Sequence, residues 1–255
     1  MSSIWNNRIT VSLFGESHGS AIGVVMDNLP SGEYIDEVAL RKFMARRTSQ
    51  NKKISTARQE ADIPHIISGL YNGRTTGTPL CAIIENADVH SADYSSLSKL
   101  ARPGHADYTG AMRYRGFNDA RGGGHFSGRL TAPFVFAGAV CSQILERRGI
   151  YTGAHILSIH NVSEARFSPL GIPREQLLAI KEKKFPVVND AKGKEMLECI
   201  NNARLAKDSV GGVVECIALG VPAGIGSPIF DGLENTIAQL MFGIPAVKGI
   251  EFGAG

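Results

Sequence analysis

The chain holds 255 residues, 43% hydrophobic and 20% charged, with a formal net charge of +3. That hydrophobic share supports a buried core and excludes a disordered chain, and the length suits one large domain or two smaller ones. The mild charge does not call for a polyanionic partner, and four scattered cysteines without a CxxC exclude a disulfide framework and point to a reducing compartment.

Residues 9–14 and 21–26 read as two strands, with the glycine-flanked His18 in the loop that joins them. Asp36 is placed to cap a helix reaching to Arg47, with Val38, Leu40, Phe43 and Met44 at helical spacing. Residues 79–85 form another strand. Residues 127–148 predict a long small-residue helix, uncharged from Leu130 to Leu145 and therefore packed on most sides; Pro133 marks its proper start and Gly149 its end. Residues 164–208 are more polar and read as a surface excursion covering one face. They hold a helix after Asp190 and a solvated lysine run at 181–184. A strand, a Pro-small-Gly turn and a helix occur at 24–47 and again at 213–242, which suggests two related halves. The amino terminus has no apolar signal region and no apolar run is long enough to cross a bilayer, so the expected location is the cytoplasm.

Two histidines sit in short, unusual settings, FGESHG at 14–19 and RPGHAD at 102–107. Each has a glycine beside it and a carboxylate one or two residues away, a pattern that fits either a turn residue or an acid–base group. Downstream, Arg113, Arg115, Asp119, Arg121, the glycines 122–124, His125, Ser127 and Arg129 lead into the long helix. Consecutive glycines ahead of a helix start, with arginines nearby, favour an anion site. The loop is neither a GxxxxGK[ST] nor a GxGxxG fingerprint, which disfavours an ordinary ATPase or dinucleotide enzyme. Between Val38 and Gln59 there is no acid but seven cations, Arg41, Lys42, Arg46, Arg47, Lys52, Lys53 and Arg58, a second candidate anion clamp or simply an exposed basic face. Only Phe43 is available there for base stacking, which weakens nucleic-acid binding. His18, His90, His105 and His125 lack HxH or HxxxH spacing, so no metal site is expected. Composition and spacing thus reach an anionic small-molecule site with histidine acid–base groups.

FGESHG, TTGTPL at 75–80, RPGHAD, the RGGG run ahead of Ser127 and Arg129, GVPAG at 220–224 and AVKGIEFG at 246–253 occur in one order. Together they resemble the chorismate synthase family along the whole chain. The resemblance implies an α+β fold, a pseudo-symmetric β-α-β sandwich with helices between two antiparallel-rich sheets. It implies a 1,4-anti elimination of phosphate from 5-enolpyruvylshikimate 3-phosphate that needs reduced FMN, with NADPH as a candidate reductant. A cytoplasmic homotetramer without nucleic-acid or membrane partners goes with it. By the same resemblance His18 is the acid near the departing phosphate and His105 the proton partner of the flavin. His125, Phe126 and Ser127, with Pro245 and Ala246, match FMN-binding stretches, and Arg47, Lys53 and Arg129 match phosphate-holding positions. Many members carry RSSARET where this chain has His125-Phe126-Ser127-Gly128-Arg129-Leu130-Thr131, which leaves the flavin-phosphate contacts open. Members also continue past KGIEFG, so residues 1–255 are expected to be one family domain incomplete at its C-terminus. Two other readings stay open: a chain that binds flavin or phosphate ligands without turnover, and a phosphatase using Ser17 or a histidine as nucleophile.

Overall fold

The computed structural model describes residues 3–47, 60–87 and 100–253, and within it the early strand pattern becomes one antiparallel sheet. Its members are β1 (Ile4–Asn6), β2 (Thr10–Gly15), β3 (Ala21–Asp27), β4 (Pro64–Ser68) and β7 (Leu80–Glu85), in the order β1-β2-β3-β7-β4. A small hairpin of β5 (Leu70–Tyr71) and β6 (Arg74–Thr75) falls between β4 and β7 in the chain. Strand alternation sets the register: Ile22, Val24 and Met26 stand opposite Ile84, Ala82 and Leu80, and all six are at most 1% exposed.

Three helices belong with this sheet's part of the chain: α1 (Glu37–Ala45), α2 (Asp107–Arg113) and α3 (Thr131–Glu146). Asp36 caps α1, its carboxylate accepting from the N–H groups of Val38 and Ala39. Leu40 and Met44 enter the core as expected, whereas Val38 stays on the surface. The backbone N–H of Asp36 donates to Gln143 Oε1 (2.8 Å), and Gln143 Nε2 donates back to the Asp36 carbonyl (3.0 Å), which fixes α3 against the start of α1. Phe136, Ala139 and Val140 of α3 join the same core, and only Gly138 along the helix is exposed. The helix starts later than the sequence suggests. Ser127 caps a 3₁₀ turn, Gly128–Leu130, and α3 proper begins at Thr131, leaving Pro133 in the first turn where its missing N–H costs nothing. By length and apolarity the 19 residues Gly128–Glu146 are enough to cross a bilayer, contrary to the sequence reading; half of that stretch is buried within the protein.

The described residues up to Ile144 form one compact unit and those from Leu145 onward another. In the second unit β8 (Tyr151–Ile159) pairs antiparallel with β9 (Val162–Ser163) on one side and β10 (Gly212–Leu219) on the other. Helices α4 (Arg174–Lys181) and α5 (Asp190–Leu205) follow in the chain, and α6 (Leu233–Met241) comes after β10. Gly153 of β8 leaves room for Leu177: a Cβ there would lie 2.2 Å from its Cδ1. Segment 164–208 therefore does more than cover a face, since it buries Phe167, Leu177, Ile180, Val187 and Met196. The lysine run is likewise anchored, with Lys181 on Glu146 (3.2 Å) and Lys183 on Asp190 (2.6 Å).

The internal echo holds at the level of backbone angles. After β3 come Asn28-Leu29-Pro30-Ser31-Gly32, and after β10 come Gly220-Val221-Pro222-Ala223-Gly224. The first and fifth residue of each turn have positive φ: 61° and 80° in one, 74° and 89° in the other. Such angles favour Asn and Gly, so the two turns solve the same geometric problem with the same residue types. Helices, antiparallel sheets and this repeat make the fold α+β. All four cysteines are free, and burial pushes the Cys141 thiol up to about 11.

Candidate active site

The hairpin between β2 and β3 carries His18. Gly15 ends β2 at φ +96°, where a Cβ would collide with the Ala21 carbonyl, and Gly19 N–H closes a turn onto the Glu16 carbonyl (3.1 Å). Ser17 and His18 are thereby tucked in, at 1% and 8% exposure. The N–H of Ser17 donates to the Gly124 carbonyl (3.0 Å), which joins the turn to the triple-glycine run.

That run is the floor of the site. Gly122, Gly123 and Gly124 all have positive φ, at 58°, 85° and 54°. A Cβ on Gly122 would lie 2.0 Å from His18 Nδ1, and one on Gly123 would lie 3.0 Å from His105 Nε2. Adjacent glycines thus seat the two imidazoles singled out by the sequence. A Cβ on Gly124 would strike the Asp119 carbonyl at 1.9 Å. The glycines serve here as seats for side chains, and the helix they were expected to open begins seven residues later.

His105 is oriented from behind. Its Nδ1 lies 2.6 Å from Asp107 Oδ1, and Arg102 grips the same carboxylate through its backbone N–H (3.0 Å), Nε (2.8 Å) and a terminal guanidinium nitrogen (2.9 Å). Hydrogen bonds from Arg102 hold the Asp107 carboxyl well below the usual carboxylate range, with burial opposing and the charges of His105 and Arg102 assisting. An ionised Asp107 accepts from Nδ1–H, which leaves Nε2 as the atom turned toward Gly123. Near His18, hydrogen bonds from Arg121 likewise lower the Asp119 carboxyl against the effect of burial, with His18 adding a smaller pull.

The remaining predicted residues fall in different places. Ring nitrogens of His125 face the Gly15 carbonyl (2.7 Å) and the Ser3 hydroxyl, so this side chain braces the end of β2. Phe126 lies over Gly110, its ring 6.2 Å from that of Tyr114, and is 36% exposed. Ser127 is occupied as a helix cap. Arg47 donates to Thr131 Oγ1 (3.0 Å), Asp62 (2.5 Å) and the Gly128 carbonyl (3.2 Å). Arg129 has a side chain only 3% exposed and is committed to Asp62, Asn86 Oδ1 (2.9 Å) and the Glu85 carbonyl (3.2 Å). Pro245 and Ala246 belong to the second unit, both exposed. Lys53 and His90 lie outside the described residues. No group of three or more His, Cys, Asp or Glu side chains arranged for a metal ion occurs among the described residues.

Three residues around Arg129 escaped the sequence reading: Glu60, whose carboxylate lies 3.8 Å from its guanidinium, Asp62 and Asn86. Two of them had a signal, since Glu60 and Asp62 are the first acids after the cationic stretch that ends at Arg58, and Asp62 is where Arg47 and Arg129 converge. Asn86 had none.

The model of the family described as chorismate synthase matches residues 9–255. The chorismate synthase of Thermococcus kodakarensis is 45% identical over 247 residues, covering 97% of this chain and 67% of that protein. That of Lancefieldella parvula is 40% identical and covers 100% of this chain and 70% of its own length. A crystal structure of a chorismate synthase superposes with a TM-score of 0.75 at 27% identity, covering 97% of this chain and 68% of the other. This chain belongs to the chorismate synthase family, carbon–oxygen lyases acting on phosphates at the last common step of the shikimate pathway.

Proposed function

We propose that the site built on Gly122 and Gly123 carries out this elimination with His18 and His105 as its two proton-handling groups. The substrate is 5-enolpyruvylshikimate 3-phosphate. Its bond from ring carbon to phosphate oxygen breaks, a ring C–H proton leaves, and the ring gains a double bond; nothing is oxidised or reduced overall. The observation that carries the reading is the seating of two imidazoles on neighbouring glycines, with the Asp107 carboxylate 2.6 Å from His105 Nδ1.

The residues present fit a planar cofactor: two imidazoles seated side by side on the glycine run, one of them part-exposed, and the part-exposed ring of Phe126. Reduced FMN, when bound, lends electron density that eases departure of the phosphate. His105, its Nδ1–H held by Asp107, presents Nε2 to take up and return a proton at that cofactor. His18 donates to the leaving phosphate oxygen, whose developing charge an unassisted ring carbon–oxygen cleavage would leave unneutralised. Arg47, with 23% of its side chain exposed, and Lys53 are assigned to the substrate phosphate. Arg129, expected beside them, is assigned a supporting place because its guanidinium is enclosed. The reading also takes in a cytoplasmic homotetramer, with NADPH as reductant where the chain reduces its own flavin.

The test is anaerobic conversion of 5-enolpyruvylshikimate 3-phosphate, with phosphate and chorismate both measured, with and without chemically reduced FMN. Chorismate formed only with the reduced flavin is the expected result. Phosphate release from generic esters without flavin would replace this reading with a phosphatase.

A further inference from the structure

Asn86, the residue after β7, ties the His18 turn to the buried arginine. Its Nδ2 donates to the carbonyls of Glu16 (3.0 Å) and Gly19 (2.8 Å), the two residues that bracket Ser17 and His18. Its Oδ1 accepts from Nε of Arg129 at 2.9 Å. That partner fixes the amide's orientation: a guanidinium N–H needs the oxygen, which leaves both Nδ2 hydrogens for the two carbonyls. The backbone N–H of Asn86 donates to the Ser20 carbonyl (3.1 Å), so the residue grips the turn at three points. Behind it, Arg129 is fixed by Asp62, whose side chain is 0% exposed and whose other oxygen is taken by Arg47. One bonded sequence therefore runs from Asp62 through Arg129 and Asn86 to the turn that lays His18 on Gly122.

We propose that Asn86 is a positioning residue of the elimination, acting through the 16–19 turn to keep the His18 imidazole on its glycine seat. The proposal rests on the reading of His18 as the acid. The carbonyls of Glu16 and Gly19 already share a turn closed by the Gly19 N–H, and Asn86 clamps both from one side. Without the clamp the turn loses both bonds from Nδ2 while keeping Gly19 N–H on Glu16 and Ser17 N–H on Gly124, and the imidazole gains freedom relative to the leaving oxygen. Displacements of about 1 Å at a reacting group cost on the order of 10²-fold in rate.

Two substitutions separate the clamp from general damage. Asn86→Ala removes the amide. Asn86→Asp keeps an oxygen for Arg129 and sets its other oxygen against two carbonyl oxygens, so only the turn is released. Both are expected to lower kcat by roughly 10- to 100-fold with the substrate KM within about threefold, the pattern of a lost transition-state interaction. Carbethoxylation of His18 by diethylpyrocarbonate, followed by peptide mass without flavin or substrate, should quicken about tenfold as the turn opens, while His105 keeps its rate. Unchanged His18 reactivity in folded Asn86→Asp would overturn the proposal, whatever happens to kcat. If His18→Ala kept wild-type turnover, the acid role would fall by itself, and the carbethoxylation rates would still decide whether Asn86 holds the turn.

Discussion

His105 and His155 are both held by carboxylates, yet the two regions use the same side chain to opposite ends. His155, on β8 of the second unit, is 0% exposed, with Nδ1 at 2.5 Å from Glu164 and Nε2 at 2.8 Å from Glu215. The ring of Phe167 covers it at 4.3 Å, and Glu164 also accepts from the N–H groups of Val188 and Asn189. Both nitrogens are used, and the residue works as a buried clasp between β8, β10 and the segment before α5. His105 has Nδ1 on Asp107, and its Nε2 lies over Gly123 with a longer contact of 3.4 Å to the Arg102 guanidinium. What a histidine does follows from what holds its second nitrogen: a carboxylate closes it in the buried His155, while the part-exposed His105 has the longer guanidinium contact there.

That contrast can be broken most forcefully at the active histidines. His18→Ala and His105→Ala should each reduce chorismate formation by a factor on the order of 10²–10⁴, the usual worth of a positioned acid–base group. Normal turnover from either folded variant would remove its role. Gly122→Ala should cost about 10²-fold in turnover, because its Cβ needs the space of the His18 ring at 2.0 Å and its φ of +58° disfavours alanine. Gly138→Ala on α3 meets nothing within 4 Å, so it should leave turnover unchanged.

On the other side of the comparison, His155→Ala leaves two carboxylates facing a cavity and should destabilise the chain by ~3–5 kcal/mol. A fall in Tm of roughly 10 °C follows, with activity per folded molecule unaltered. A small Tm change with lost activity would reverse the two assignments. The finest effect is on pH. Arg102 depresses the Asp107 carboxyl, so this group adds stability above the unfolded aspartate value of about 4 and loses it as pH falls toward the folded value. The Tm gap between wild type and Asp107→Asn should be constant from pH 7 to 5 and shrink below about pH 4. A gap independent of pH would show that the carboxylate's charge contributes nothing.

Much of the first unit was legible in its sequence. The short apolar runs at 9–14 and 21–26, the cap at Asp36 and the uncharged stretch of α3 are local signals, and local bonds answered them. His18 and His105 were legible because each carries its glycine and its carboxylate within a few residues. The supports were not. Asp62, Asn86 and Arg129 meet across 43 and 67 positions of chain, and an arginine reads the same whether it will face phosphate or a buried aspartate. The glycine run showed that something must approach closely; its spacing could not tell an anion from an imidazole. In the second unit, Lys181 and Lys183 read as a solvated run because their partners, Glu146 and Asp190, lie outside it.

The central claim is that the glycine run serves the reaction by seating imidazoles, and a double-mutant cycle on turnover measures it directly. If Gly122 acts chiefly through His18, Gly122→Ala should cost far less in the His18→Ala background than in the wild type, leaving only the small penalty of its positive φ. Losses that multiply would contradict the account and give Gly122 a separate role.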